Sequence, residues 1–145
     1  MKLVPTEELY HEIKNATDPE DFLAKNSSQM LRHNLSEHLR VLLSQKNMTR
    51  AEVVRGSLLD RSYVYQIFSG EKTPSRDTLI ALSFGLRLTD SETQKMLKLS
   101  GNRELYARDK RDALILFAIT HGQTLMQANE LLYRHELTLL GTQTV

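Results

Sequence analysis

Residues 49–70, TRAEVVRGSLLDRSYVYQIFSG, constrain the fold more than any other stretch, because they read as two short helices joined by a tight turn. Thr49 can cap the first helix with its hydroxyl while Glu52, three residues on, reaches back to the backbone N–H at the cap, a capping box. Asp60 restarts the chain as a second cap. Beyond it Val64, Ile67 and Phe68 recur at helical spacing on one face and leave Arg61, Ser62, Tyr65, Gln66 and Ser69 mostly on the other. The unit is therefore read as a helix-turn-helix.

The polar side of its second helix has the chemistry of a DNA reader. An exposed helix in the major groove must offer forked donors and acceptors to base edges, and Arg for guanine and Gln for adenine are such groups. The surrounding sequence resembles the phage Cro and repressor (Xre-type) helix-turn-helix domains over about residues 35–101. The likeness is carried by Leu35, Leu39 and Leu42, by Thr49-Arg50, by Arg61-Ser62-Tyr63-Val64, by Ile67 to Gly70 and by Pro74-Ser75-Arg76-Asp77-Thr78-Leu79, in that order and spacing. Two positions depart from the family's pattern. Val54 stands where a small Ala is usual, and Leu58 where the turn usually has Gly. A left-handed Leu is strained, since Gly takes positive φ freely, and the neighbouring Gly56-Ser57 is expected to absorb part of that strain.

The resemblance implies an all-α fold, a five-helix lambda-repressor-like domain, and sequence-specific binding of double-stranded DNA by a transcriptional regulator that uses helix 60–68. Arg61, Ser62, Tyr65 and Gln66 are the candidates for base contact, being near the start and on the outer face of that helix. Arg50, Tyr63, Lys72, Ser75 and Arg76 are the candidates for phosphate contact, with helix N-termini adding backbone donors. One short helix covers only a few base pairs, so a homodimer reading two half-sites is expected.

Charge agrees with this only when divided along the chain. The net formal charge is +1. Residues 1–33 carry 4 Lys/Arg against 6 Asp/Glu, residues 34–100 carry 10 against 7, and residues 101–145 carry 5 against 5. The excess of cations falls in the segment that resembles the DNA reader, as phosphate neutralisation requires.

Further caps divide the rest of the chain into a helical N-terminal arm (1–33), the central domain (34–101) and a C-terminal helical hairpin (102–145). Pro5-Thr6 opens a helix with Leu9 and Ile13 on one side, and Asp18-Pro19 opens another with Phe22 and Leu23, ending at the polar residues 26–28. This acidic arm is expected to pack on the domain or to order on a protein partner. Asn34 with Glu37 reads as a capping box for the core helix of Leu35, Leu39, Leu42 and Leu43. Ser75 caps the helix of Leu79, Leu82 and Leu86, and Thr89 with Glu92 opens the next, with Met96 and Leu99 inward and Ser100-Gly101 as its stop. In the hairpin, Asp109 caps a helix with Leu114, Phe117 and Ala118, closed by His121-Gly122. Thr124 with Gln127 boxes a second helix, with Leu125, Ala128, Leu131 and Leu132. The hairpin completes the core or supplies the dimer interface.

Other chemistry finds little support. The chain has no Cys, so disulfides, thiolate metal sites and thiol nucleophiles are excluded, in keeping with a reducing cytoplasm. The longest purely apolar run, residues 113–119, is far short of the ~20 residues of a membrane span, and no export signal is evident. His33 and His38 are five apart and cannot share a helix face as a zinc pair would, and His11, His121 and His135 lack a partner at a telling spacing. His121 is expected to interact with a helix end. Tyr106, Arg108, Lys110 and Arg111, interleaved with Asp109 and Asp112, read as a charged loop. No glycine-rich phosphate cradle, nucleophile elbow or metal signature is present, so neither an enzyme nor a cofactor is expected. The alternative to DNA binding is a non-catalytic protein-interaction module on the same scaffold.

Overall fold

The computed structural model describes residues 4–141, apart from the side chains of residues 31–33, so the His33 imidazole, the first three residues of the arm and the last four of the hairpin segment lie outside what is described. The described chain is all-α, with nine α-helices, one 3-10 turn and no strand. In order these are α1 (Thr6–Asn15), α2 (Pro19–Lys25), a 3-10 turn (Ser27–Gln29), α3 (Leu31–Gln45), α4 (Arg50–Ser57), α5 (Arg61–Ser69), α6 (Arg76–Gly85), α7 (Asp90–Leu99), α8 (Lys110–Thr120) and α9 (Leu125–Arg134).

Most helix starts are written by their caps. Thr49 with Glu52, Thr89 with Glu92 and Thr124 with Gln127 close full capping boxes, while Asp18, Asp60, Ser75 and Asp109 each accept a hydrogen bond from the first turn of the helix that follows. The exception is α3. It begins at Leu31 with Met30 at its cap and no side-chain cap bond, so Asn34 is an interior helix residue, buried at 6% exposure with its side-chain oxygen unpartnered. The expected Asn34–Glu37 capping box is thereby overturned, and the helix runs through the boundary expected at residue 34.

Helices α3 to α7 enclose one apolar core that includes Leu35, Leu39, Val53, Val64, Ile67, Phe68, Leu79, Leu82, Met96 and Leu97. Its tightest point is the crossing of α4 and α6. A Cβ on Gly85 would stand 2.6 Å from the Val53 carbonyl oxygen and 3.1 Å from the Ser57 Cβ, and one on Gly56 would stand 3.0 Å from the Gly85 Cα. Two glycines thus let the backbones meet. Because Gly56 is needed there and Ser57 is buried, α4 runs through both, and the positive φ falls on Leu58 itself (φ 56°, ψ 25°). The expectation that Gly56-Ser57 would share the strain is corrected accordingly.

The C-terminal segment joins the same core through Leu105, Ile115, Leu125, Leu132 and Leu140. Completion of the core is what its apolar side does. Phe117 is the exception among the expected inward residues, being 45% exposed and stacked on His121, whose Nδ1 is 2.8 Å from the Phe117 carbonyl oxygen at the helix end. Two side-chain amides hold the non-helical stretches in place. Gln94 grips the backbone N–H and C=O of Leu105 at 2.7 and 2.9 Å, and Asn129 grips those of Leu140, both at 2.7 Å. The N-terminal arm is different. α1 buries no residue, with Tyr10 and Ile13 exposed, and Leu23 of α2 is exposed as well. Within the arm Phe22 is buried, and the Asn26 amide donates to Glu12 and to the Phe22 carbonyl, tying α1 to the end of α2.

Candidate nucleic-acid interface

The geometry of α5 follows from its sequence period. Asp60 accepts from the Tyr63 N–H at 3.1 Å and fixes the start of the helix, and Gly70 ends it in a left-handed conformation that costs Gly little. Between these stops Val64, Ile67 and Phe68 are buried. Their burial decides which way the rest must face. Arg61, Ser62 and Ser69 are exposed, and Tyr65 and Gln66 are half-buried, the Tyr65 ring packed against the core.

Tyr65 organises this surface. Its hydroxyl accepts from the Arg61 guanidinium at 3.2 Å, and the guanidinium groups of Arg61 and Arg50 lie 5.3 and 5.4 Å from its ring centroid. Cation–π attraction thus draws together the arginine that opens α4 and the one that opens α5, on an aromatic ring anchored in the fold. Two cations with forked donors, pre-oriented by one ring, suit the recognition of phosphate or of a guanine edge. Among the described residues no side chain hydrogen-bonds Ser62 or the Gln66 amide, so their donors and acceptors are available to a partner.

The remaining candidates divide. Tyr63 is half-buried and packs its ring on the core. Lys72 is exposed in the loop after α5, its N–H donating to the Gln66 carbonyl. Ser75 caps α6, its hydroxyl accepting from the Thr78 N–H and donating to the Thr78 hydroxyl at 3.0 Å. Arg76 is committed within the fold. Its guanidinium forks onto the buried Asp112 carboxylate at 2.9 and 3.2 Å and donates to the carbonyls of Arg103 and Glu104, so it joins α6 to the segment before α8. Arg111 departs from its expectation. Expected in a charged loop, it makes a bidentate pair with Asp77 and donates to the Thr138 carbonyl.

One residue that sequence reasoning missed is Arg40 on α3, which donates to the Phe68 carbonyl near the end of α5 and so helps aim that helix. Nothing in its sequence neighbourhood marks it, because the bond links residues 28 apart. Among the described residues no group of three or more His, Asp or Glu is placed to hold a metal ion, and no helix is long and apolar enough to cross a membrane. Compared with models of known families, with curated proteins and with solved structures, the chain matches none of them.

Proposed function

We propose that this chain is a helix-turn-helix transcriptional regulator that binds duplex DNA sequence-specifically, with α4 and α5 as the reading unit and α3 to α7 as a lambda-repressor-like domain. The observation that carries the reading is the outer side of α5. Arg61, Ser62, Tyr65 and Gln66 run along it while the opposite side is fixed in the core, so the helix is both rigidly mounted and chemically equipped for base edges. Arg50 and Lys72, at the start of α4 and just past the end of α5, supply cations for the flanking phosphates, and Arg76 is excluded from that set.

A short helix spans too few base pairs for selectivity, and a homodimer on a two-fold site supplies the rest. Met126 and Tyr133, 70% and 75% exposed on α9, are apolar surface for such a contact. The test is selection of bound duplexes from a random library by the purified full chain, followed by titration at several salt concentrations. A two-fold consensus with log-linear loss of affinity in added salt is the expected outcome. Recovery of no enriched sequence, together with salt-insensitive retention of a protein partner, would replace this reading with that of an interaction module.

A further inference from the structure

A cleft of about 470 Å³ lies between α4, the C-terminal end of α6 and the α8–α9 turn, well within the volume range of small-molecule sites. Gly56 and Gly85, where α4 and α6 cross, are among its lining residues. Met48, Phe84 and Ile119 give it an apolar wall, and Arg55, Arg87 and Gln123 give it polar groups.

The arginines are the informative feature. Neither Arg55 nor Arg87 pairs with a carboxylate or donates to an acceptor among the described residues. Glu52 also lines the cleft, but one of its carboxylate oxygens already accepts the N–H and hydroxyl of Thr49 at 2.9 and 3.1 Å. Those bonds hold its carboxyl below the ordinary range, with smaller contributions from Arg55 and Arg87, the other charged residues of the lining. The lining therefore has two cations and one anion, a surplus of one positive charge.

Two further groups favour an anion. The α9 N-terminus opens here, and its capping box uses the N–H groups of Thr124 and Gln127 while leaving that of Leu125 uncapped. Gln123 has a buried side-chain oxygen with no partner, and a half-turn of that amide exchanges it for N–H donors. We propose that the cleft binds a small organic carboxylate, its apolar body against Met48, Phe84 and Ile119 and its carboxylate between Arg55 and Arg87 at the start of α9. The single surplus charge selects a monoanion, and the apolar wall selects against a bare inorganic ion. This site stands whether or not α5 reads DNA.

The experiment is a titration of the full chain followed by amide resonances, using octanoate, the neutral octanamide and inorganic phosphate as probes. Octanoate should give saturable shifts at residues 55–56, 84–88 and 123–125. Octanamide, which loses the charge-assisted hydrogen bonds, and phosphate, which lacks an apolar body for the wall, should each bind at least about tenfold more weakly, and so should octanoate on Arg55→Gln or Arg87→Gln. Equal binding of octanoate and octanamide, shifts confined to other surfaces, or no saturable shift would each overturn the proposal. The octanamide arm needs no variant, so a variant that failed to fold would not rescue it.

Discussion

Leu58 shows how a single residue inherits a constraint from elsewhere. Its left-handed backbone is forced by the helix before it, since Gly56 must meet Gly85 and Ser57 must stay buried, with its hydroxyl donating to the Val54 carbonyl. A non-glycine residue held in that region costs about 1–2 kcal/mol, and Leu58 is 41% exposed, so little packing offsets it. Leu58→Gly is therefore expected to raise stability by about 1 kcal/mol net of the added freedom of the unfolded chain, seen as a higher denaturant midpoint at unchanged slope. A lower midpoint would mean that the Leu side chain holds the turn after all. The arginines divide by the same logic of surroundings. Arg76→Ala would remove the bidentate partner of Asp112, 1% exposed, and leave it only Arg103 at 4.0 Å and the Tyr106 N–H, so a loss of about 2–3 kcal/mol is expected in chemical denaturation. Arg61→Ala removes an exposed side chain whose contacts are a surface hydrogen bond and a cation–π contact with Tyr65, so stability should stay within about 1 kcal/mol while cognate DNA binding weakens by about 1–3 kcal/mol and base preference relaxes locally. If Arg61→Ala bound all duplexes as the parent does, the assignment of α5 as the reading helix would be lost.

Among the elements, what was legible is what is local. The Thr49, Thr89 and Thr124 boxes and the Asp18, Asp60, Ser75 and Asp109 caps place seven helix starts, because a cap is made by residues two to three positions apart. Asn34 failed for the opposite reason. Its spacing to Glu37 imitates a box, but burial of the α3 stripe carries the helix back to Leu31, a tertiary effect that short-range spacing does not encode. The ties between helices were equally hidden. Lys46, just past the end of α3, pairs with Glu92 in the first turn of α7 at 2.7 Å, so the residue that caps α7 also binds it to α3. That Lys46 hydrogen bond, followed by the Thr89 N–H, holds the Glu92 carboxyl below its ordinary value of 4.5. The folded chain then binds fewer protons here than the unfolded chain. The resulting stability is present above the ordinary value and is lost as pH falls through the depressed one. Glu92→Gln should lower the melting temperature at neutral pH and make its decline below pH 4.5 shallower than in the parent. Parallel melting curves for the two proteins would show that the pair contributes nothing.

At the scale of the whole molecule, the part of the sequence that resembles a DNA reader is held by parts that do not. The C-terminal stretch returns along the domain, with Thr138 accepting from Arg111, which also forks onto Asp77 at the start of α6, and with Leu140 fully buried and gripped by Asn129. Gly141 then lies against the α4–α5 turn. A Cβ there would stand 2.5 Å from the Ser57 carbonyl oxygen and 3.3 Å from the Leu58 Cβ. None of this was legible, because Asn129 reads as one more polar residue on an amphipathic helix. Its role exists only once an extended segment with unpaired backbone groups is laid beside it. The arrangement makes the hairpin a brace for the turn from which α5 springs. Asn129→Ala leaves the Leu140 N–H and C=O without partners and should cost about 1–3 kcal/mol. The brace adds a consequence that a purely local defect would lack. Amide exchange should quicken not only at residues 137–141 but also at 57–61, and affinity should fall by a similar factor on every duplex while base preference stays as it was, since α5 itself is unchanged. Faster exchange confined to residues 137–141, with DNA affinity intact, would show that the C-terminal stretch completes the core without steadying the reading helix.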